Sequence, residues 1–122
     1  MDRRGELGKR GEDLACGELE RRGYVILSRR FRTRCGELDI VARDGQVLVF
    51  VEVKTRTGRN FGSPFESLTW HKQHRLARMA LSYLFLKRLS NMPCRFDVVA
   101  VTFDTSGSAR VELLREAFAV AS

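Results

Sequence analysis

The sequence predicts an α/β fold in which helices pack on a mixed sheet of about five strands, in the order α-β-β-β-α-β-β. Three observations support this class: apolar residues at helical spacing near the N-terminus, an Asp-Gly pair between two apolar runs, and a long helical segment after the third strand. A helix in that position can serve as the crossover that a parallel strand pair requires. The length suits one domain, and we expect residues 1–122 to form it.

The first predicted element is a helix over residues 5–22. Gly8, Glu12, Ala15 and Leu19 recur at spacings of three and four, so they share one face. Most of the other charged residues fall elsewhere on the helix, which places Glu12 on the inward side. A C-terminal glycine, Gly23, is expected to end the helix.

Strands are predicted next at residues 24–28 (continued by the basic residues 29–34), 37–42 and 47–54. The last two form a hairpin with Asp44-Gly45 as its two-residue loop. The strand at 47–54 is apolar on both faces over most of its length, which is typical of a central strand.

The remaining predicted elements are a loop at residues 55–67, a helix at 69–89, and strands at 95–103 and 111–114. The helix carries a basic side and an apolar stripe that we assign to the core, made of Trp70, Ala77, Leu81 and Leu84.

The charge is unevenly distributed along the chain. The net charge is +7, yet residues 36–52 carry four acidic side chains and one basic one. The basic segments on either side suggest a polyanionic partner such as nucleic acid. An acidic island repels phosphates unless something neutralises it.

The predicted hairpin brings two carboxylates and a lysine together. A loop at Asp44-Gly45 pairs Asp39 with Phe50, so that Asp39, Glu52 and Lys54 project from one face. Adjacent carboxylates repel each other and persist by binding a proton or a cation. Oxygen ligands without nearby His or Cys favour Mg²⁺ or Mn²⁺. Such an ion would turn the acidic island into a phosphate-binding site, with Lys54 assisting an attacking water. Glu37 is interpreted as a polar residue flanking the hairpin.

The chain resembles the YraN family of uncharacterised bacterial proteins in two segments, GELDIV at residues 36–41 and FVEVKTR at residues 50–56. Further likeness lies in Gly11, Glu12 and Ala15, in Lys72, and in RFDVV at residues 95–99. That family is grouped with the PD-(D/E)xK nuclease superfamily, whose restriction-endonuclease-like fold includes archaeal Holliday junction resolvases. Leu38 stands where the superfamily signature usually has proline.

The resemblance implies a restriction-endonuclease-like fold and a Mg²⁺-dependent endonuclease acting on DNA, with branched or recombination-derived DNA as a candidate substrate. It implies that Asp39 and Glu52 bind the metal, that Lys54 is catalytic, and that Glu12 supplies a further acid. Resolvase-like enzymes commonly act as dimers, so a homodimer is one expected assembly.

Basic side chains near this site are candidate phosphate contacts. They are Arg56 and Arg59 in the predicted loop and Lys72 and Arg75 on the long helix. Phe61 and Phe65 in the loop could stack on an unpaired base.

Two other functions fit the same sequence. One is a nucleic-acid-binding module without catalysis, in which the acidic residues are structural; the other is a protein-interaction domain with basic faces. The three cysteines lie far apart in sequence and fit neither a disulfide scaffold nor a zinc site. Together with the absence of a signal-peptide pattern or a membrane-spanning run, they predict a cytoplasmic protein with reduced thiols.

Overall fold

Two helices and five strands make up the part of the chain that the computed structural model describes, residues 3–58, 68–89 and 91–118. They are α1 (Arg3–Arg21), β1 (Val25–Thr33), β2 (Gly36–Asp44), β3 (Val47–Thr57), α2 (Trp70–Lys87), β4 (Cys94–Phe103) and β5 (Ala109–Phe118). This order confirms the predicted α-β-β-β-α-β-β series and is consistent with a restriction-endonuclease-like fold.

The five strands form one mixed sheet in the order β1-β2-β3-β4-β5. Neighbouring strands are antiparallel except β3 and β4, which are parallel and are joined through α2. The parallel pair explains why a helix is needed at this point, since a hairpin cannot join parallel strands. The strand predicted to be central, β3, is the middle strand.

Each helix covers one face of the sheet, and we call these faces the α1 side and the α2 side. The core on the α1 side includes Ala15, Leu19, Ile40, Val49, Val51 and Val99. The core on the α2 side includes Leu48, Phe50, Leu76, Met79, Tyr83 and Phe96. The alternation along β3 is regular: odd-numbered residues face α1 and even-numbered residues face α2.

The first helix follows its predicted pattern. Glu12, Ala15 and Leu19 are all buried, so the inward placement of Glu12 is confirmed. Gly23 ends the helix with a φ of +90°, and the N–H of Tyr24 donates to the Leu19 carbonyl. Because an L side chain is strained in this conformation, glycine is the favoured residue there.

The second helix buries a different face from the predicted one. Its N-cap is Thr69, whose hydroxyl accepts a hydrogen bond from the Lys72 N–H. Trp70 and Leu81 are each 65% exposed, so their assignment to the core is wrong. The helix instead buries Leu76, Ala77, Met79, Ala80, Tyr83 and Leu84. Ala77 and Leu84 lie at the edge of that face, and positions 70 and 81 are turned beyond it.

The hairpin between β2 and β3 has a different register from the predicted one. Its loop is Gly45-Gln46, and Asp44 pairs with Val47, so every pair is shifted by two residues. Of the two loop residues only Gly45 has a positive φ, +60°, as a type II′ turn requires at its first position. Because the shift is an even number, each residue keeps the parity that the prediction gave it. β3 also continues to Thr57, which removes residues 55–57 from the predicted loop.

A buried aspartate, Asp97, joins both edges of the sheet at the hairpin end. Its carboxylate accepts hydrogen bonds from the Tyr24 hydroxyl at 2.9 Å, from Arg95 Nε at 3.0 Å and from the Glu116 N–H at 3.0 Å. Arg95 also donates to Asp44 at 2.8 Å. The charge of Asp97 is therefore compensated by a cation and by neutral donors, as buried carboxylates require.

Replacing Gly11 by alanine should destabilise the protein, because a Cβ there would overlap the Thr55 hydroxyl on β3. We expect a loss of about 1–3 kcal/mol in the free energy of unfolding, measured by urea denaturation. The matched control is Gly17→Ala on the same helix, where nothing lies within 4 Å and alanine should stabilise by about 0.5–1 kcal/mol. Equal effects of the two substitutions would show that α1 does not approach β3 this closely.

Candidate active site

The candidate site lies where β2 separates from β3. Their pairing runs from Asp44–Val47 to Ile40–Val51 and ends there. Ile40 packs on the α1 side, while Leu38, two residues earlier, packs on the α2 side. In a regular strand these two residues would share a face, so the alternation breaks at the residue between them, Asp39.

The Asp39 side chain fills the gap that this break opens. Its Oδ2 accepts a hydrogen bond of 2.8 Å from the backbone N–H of Val53. The carboxylate thereby replaces a β2 carbonyl as the partner of β3. Because the N–H group of a central strand needs an acceptor, this bond fixes Asp39 at the edge of the ladder.

Glu52 and Lys54 lie on the α2 side. They alternate with Val51 and Val53, which pack on the α1 side, and Lys72 and Arg75 of α2 act electrostatically on Glu52. The prediction that Asp39, Glu52 and Lys54 share one face of a regular ladder is therefore wrong. The irregularity at Asp39 instead turns its carboxylate into the gap between the strands.

The two carboxylates nevertheless act on each other. Burial and the charge of Glu52 raise the pKa of Asp39 to about 7, against the opposing effect of the Val53 hydrogen bond. Burial also raises the pKa of Glu52, although Arg75, Lys72 and Lys54 lower it. Within the described ranges, neither Asp39 nor Glu52 forms an ion pair. Both are therefore partly buried carboxylates without a direct counter-ion in the described part of the chain.

Lys54 follows Glu52 by two residues along β3. Its pKa is lowered by burial and by the charges of Lys72 and Arg56, which outweigh the attraction of Glu52. Lys54 is thus a basic side chain with a lowered pKa on the same face of β3 as Glu52.

Glu12 points from α1 toward Asp39, and it is already neutralised. Its Oε1 lies 2.8 Å from Arg29 Nε and its Oε2 lies 3.0 Å from Arg30 Nε. The charge of Glu12 still contributes to the raised pKa of Asp39. These two arginines were not predicted as partners of Glu12; the signal in the sequence was a pair of adjacent basic residues on a strand facing an inward carboxylate.

A cavity of about 750 Å³ opens on the α1 side of the gap. Its lining includes Gly8, Glu12, Arg30, Asp39, Val53 and Thr55. Glu52 and Lys54 are not part of this lining. Asp39 is therefore reached from the cavity, while its neighbour Glu52 is approached from the α2 side.

The donor set suits a hard divalent cation. Across residues 3–58, 68–89 and 91–118, no group of three or more His, Cys, Asp or Glu side chains is arranged to hold a metal ion. Mg²⁺ keeps several waters and is commonly bound through one or two carboxylates together with substrate phosphates. Asp39 and Glu52, which form no ion pair among the described residues, supply two such carboxylates. Because they approach from opposite faces of the sheet, one ion would have to lie in the gap between β2 and β3 to contact both.

The predicted phosphate contacts fall on both sides of the gap. Lys72 and Arg75 are exposed on α2, and Arg56 lies on β3 and contributes to the cavity lining. Arg59, Phe61 and Phe65 lie outside the described residues. Glu37 lies on β2, lines the same cavity, and is 3.5 Å from Arg32.

Comparison with known sequences identifies the family. The model of the uncharacterised protein family UPF0102 matches residues 11–101. The chain belongs to UPF0102. This is the YraN family, so the resemblance is confirmed.

Curated UPF0102 proteins match over nearly the whole chain. The protein of Symbiobacterium thermophilum is 49% identical over 118 residues, covering 97% of this chain and 98% of its own. The protein of Geobacter sulfurreducens is 48% identical over 115 residues, covering 94% of this chain and 90% of its own. In this UPF0102 member, neither α1 nor α2 is long and apolar enough to cross a membrane.

The raised pKa of Asp39 predicts how stability depends on pH. Ionising Asp39 costs more free energy in the folded state than in the unfolded state. The contribution of Asp39 to the free energy of unfolding therefore falls as pH rises from about 4 to about 7, and it is constant above pH 7. The unfolding free energy of wild type minus that of Asp39→Asn should fall by about 2–4 kcal/mol across this window.

Asp13→Asn is the control for this measurement. Asp13 has a lowered pKa because of its hydrogen bond with Arg29. The unfolding free energy of wild type minus that of Asp13→Asn should therefore rise as pH increases toward about 4. A flat difference curve for Asp39→Asn would mean that Asp39 titrates normally.

Proposed function

We propose that this UPF0102 protein is an endonuclease that hydrolyses DNA phosphodiester bonds with Mg²⁺ or Mn²⁺ held in the gap between β2 and β3, by Asp39 from the α1 side and by Glu52 from the α2 side. One observation carries the proposal: two neighbouring, partly buried carboxylates have no ion pair among the described residues, in a protein with a net charge of +7. Such a pair is costly to keep unless a cation completes it.

The metal, when bound, would polarise the scissile phosphate and lower the pKa of a water. Asp39 would offer the oxygen that the Val53 N–H does not hold, and Glu52 would offer its carboxylate from the next strand. Lys54 would orient the attacking water or offset the negative charge of the transition state. Glu12, held by Arg29 and Arg30, would contribute negative charge beside Asp39.

The basic side chains around the gap would hold the DNA backbone. Lys72 and Arg75 approach from α2 and Arg56 from β3, and Arg59 is proposed to act with them. Branched or recombination-derived DNA is the substrate class we propose, with a homodimer as the assembly that suits a two-fold symmetric substrate. The free thiols of Cys16, Cys35 and Cys94 support a reducing, cytoplasmic setting for this activity.

A second candidate is nucleic-acid binding without catalysis. The observation that favours it is the neutralisation of Glu12 by two arginines, which leaves one acid fewer for a metal. Metal binding separates the two candidates, because the basic surface is common to both.

Substitutions in the site should abolish cleavage while the protein still folds, although Asp39→Ala also removes the acceptor of the Val53 N–H and should lower stability. The assay incubates plasmid, linear, single-stranded, flap and four-way-junction DNA with Mn²⁺. Asp39→Ala and Glu52→Ala should reduce cleavage below detection, and Lys54→Ala should reduce it by about 10²–10³-fold. Glu20→Gln, an exposed acid on α1, is the control and should cleave normally. Metal-dependent cleavage by the purified Asp39→Ala/Glu52→Ala protein would refute the assignment.

Metal affinity should rise with pH because the ion must displace a proton from Asp39. With a pKa of about 7, Mn²⁺ should bind about tenfold more weakly at pH 6 than at pH 8 by isothermal calorimetry. Glu52→Gln should lose binding at both pH values, and Glu20→Gln should behave as wild type. No binding at millimolar metal, even with DNA present, would favour the non-catalytic module.

A further inference from the structure

Arg30 has an unusual backbone conformation for a residue within a strand. Its φ is +54°, in the left-handed region, although it lies inside β1 between Arg29, which pairs with Ile40, and Phe31, which pairs with Leu38. This conformation costs a residue with a Cβ about 1–2 kcal/mol. Strain of this kind is often found where a side chain must be placed for function.

The left-handed turn puts two consecutive guanidinium groups on one face. Side chains of consecutive strand residues normally point to opposite faces. Here Arg29 and Arg30 both reach Glu12 on α1, with Nε–Oε distances of 2.8 and 3.0 Å. The left-handed backbone at Arg30 thereby turns its own side chain toward the α1 side, where the cavity lies.

Arg29 and Arg30 are held to different extents. Arg29 donates to Glu12 and also to Asp13, at 2.7 Å, so it is held by two carboxylates. Arg30 donates to Glu12 through Nε alone, and in the described part of the chain its two terminal nitrogens make no hydrogen bond. Its side chain is 51% exposed.

The Arg30 guanidinium lies in the wall of a cavity that is large enough for a nucleotide. Arg30 and Lys9 are both in the lining, beside Glu12 and Asp39. Arg29 and Arg30 together balance the charges of Glu12 and Asp13, so Arg30 brings two terminal N–H donor groups to this wall rather than an excess charge. A planar guanidinium with two terminal nitrogens to donate suits a phosphate better than it suits a neutral group.

We propose that Arg30 binds a backbone phosphate of the nucleic acid that enters this cavity, and that Arg29 alone then holds Glu12. The inference rests on the proposed function, because it takes a nucleic acid as the ligand. It adds a binding residue on the α1 side of the gap, opposite the basic surface of α2. Arg30 is thus a substrate contact separate from Asp39, Glu52 and Lys54.

The test compares Arg30→Gly with Arg88→Gly. Arg88, the C-cap of α2, is exposed and has a φ of +57°, so both substitutions remove one positive charge and relieve the same backbone strain. The readouts are the thermal unfolding midpoint and the affinity for a fluorescent four-way junction in EDTA, measured over a series of salt concentrations. EDTA makes binding independent of any metal.

The Arg30→Gly protein should show a salt slope about one unit shallower than wild type, and about tenfold weaker binding at low salt. Its midpoint should be unchanged or higher, because glycine removes the strain and Arg29 still holds Glu12. Arg88→Gly should leave the slope unchanged. If Arg30→Gly lowers the midpoint, Arg30→Asn, which also tolerates a left-handed backbone, replaces it in the comparison.

Equal slopes for the Arg30 and Arg88 variants would overturn the inference and leave the proposed function standing. Absence of salt-dependent binding by the wild-type protein would instead remove the proposed function. Arg30→Lys gives a further check: it should keep the wild-type slope and bind more weakly, because it retains the charge and loses the planar donor pair.

Discussion

The hydrogen bond between the Asp39 carboxylate and the Val53 N–H determines the chemistry of this site. It forms where β2 leaves β3, so a side chain takes the place of a backbone carbonyl. The bond holds Asp39 partly buried and close enough to Glu52 for the two charges to interact. The left-handed Arg30 lies at the same level on β1, and the strand irregularities there open the cavity from which Asp39 is reached.

Two aspartates in this sheet show how differently a buried charge can be treated. Asp97 has an arginine, a tyrosine hydroxyl and a backbone N–H as partners, so its charge is compensated within the protein. Asp39 has one backbone donor and a neighbouring carboxylate, and burial raises its pKa. Asp97 thus has one arginine as its counter-ion, whereas Asp39 has none among the residues that the structure describes. A ligand cation is the partner that would balance Asp39.

The order of elements was predictable because it depends on apolar periodicity and on one Asp-Gly turn. The register of the hairpin was not predictable, since either Asp44-Gly45 or Gly45-Gln46 can form a two-residue loop. The choice depends on whether Gly45, with its positive φ, takes the first or the second position of that loop. The break at Asp39 was also hidden, because an arginine in a left-handed conformation has no sequence pattern of its own. Trp70 was misassigned because helical spacing shows which residues share a face of the helix but not which face packs against the sheet.

The most direct test of the proposed site is a measurement of the pKa of Asp39. Site-resolved ¹³C NMR of the side-chain carboxyl, titrated with and without Mg²⁺, measures it without reference to any substrate. We expect a pKa of about 7 in the apoprotein and a lower value when Mg²⁺ is added. A value close to 4 that Mg²⁺ does not change would contradict the proposed site, since the gap between β2 and β3 would then hold an ordinary solvated carboxylate.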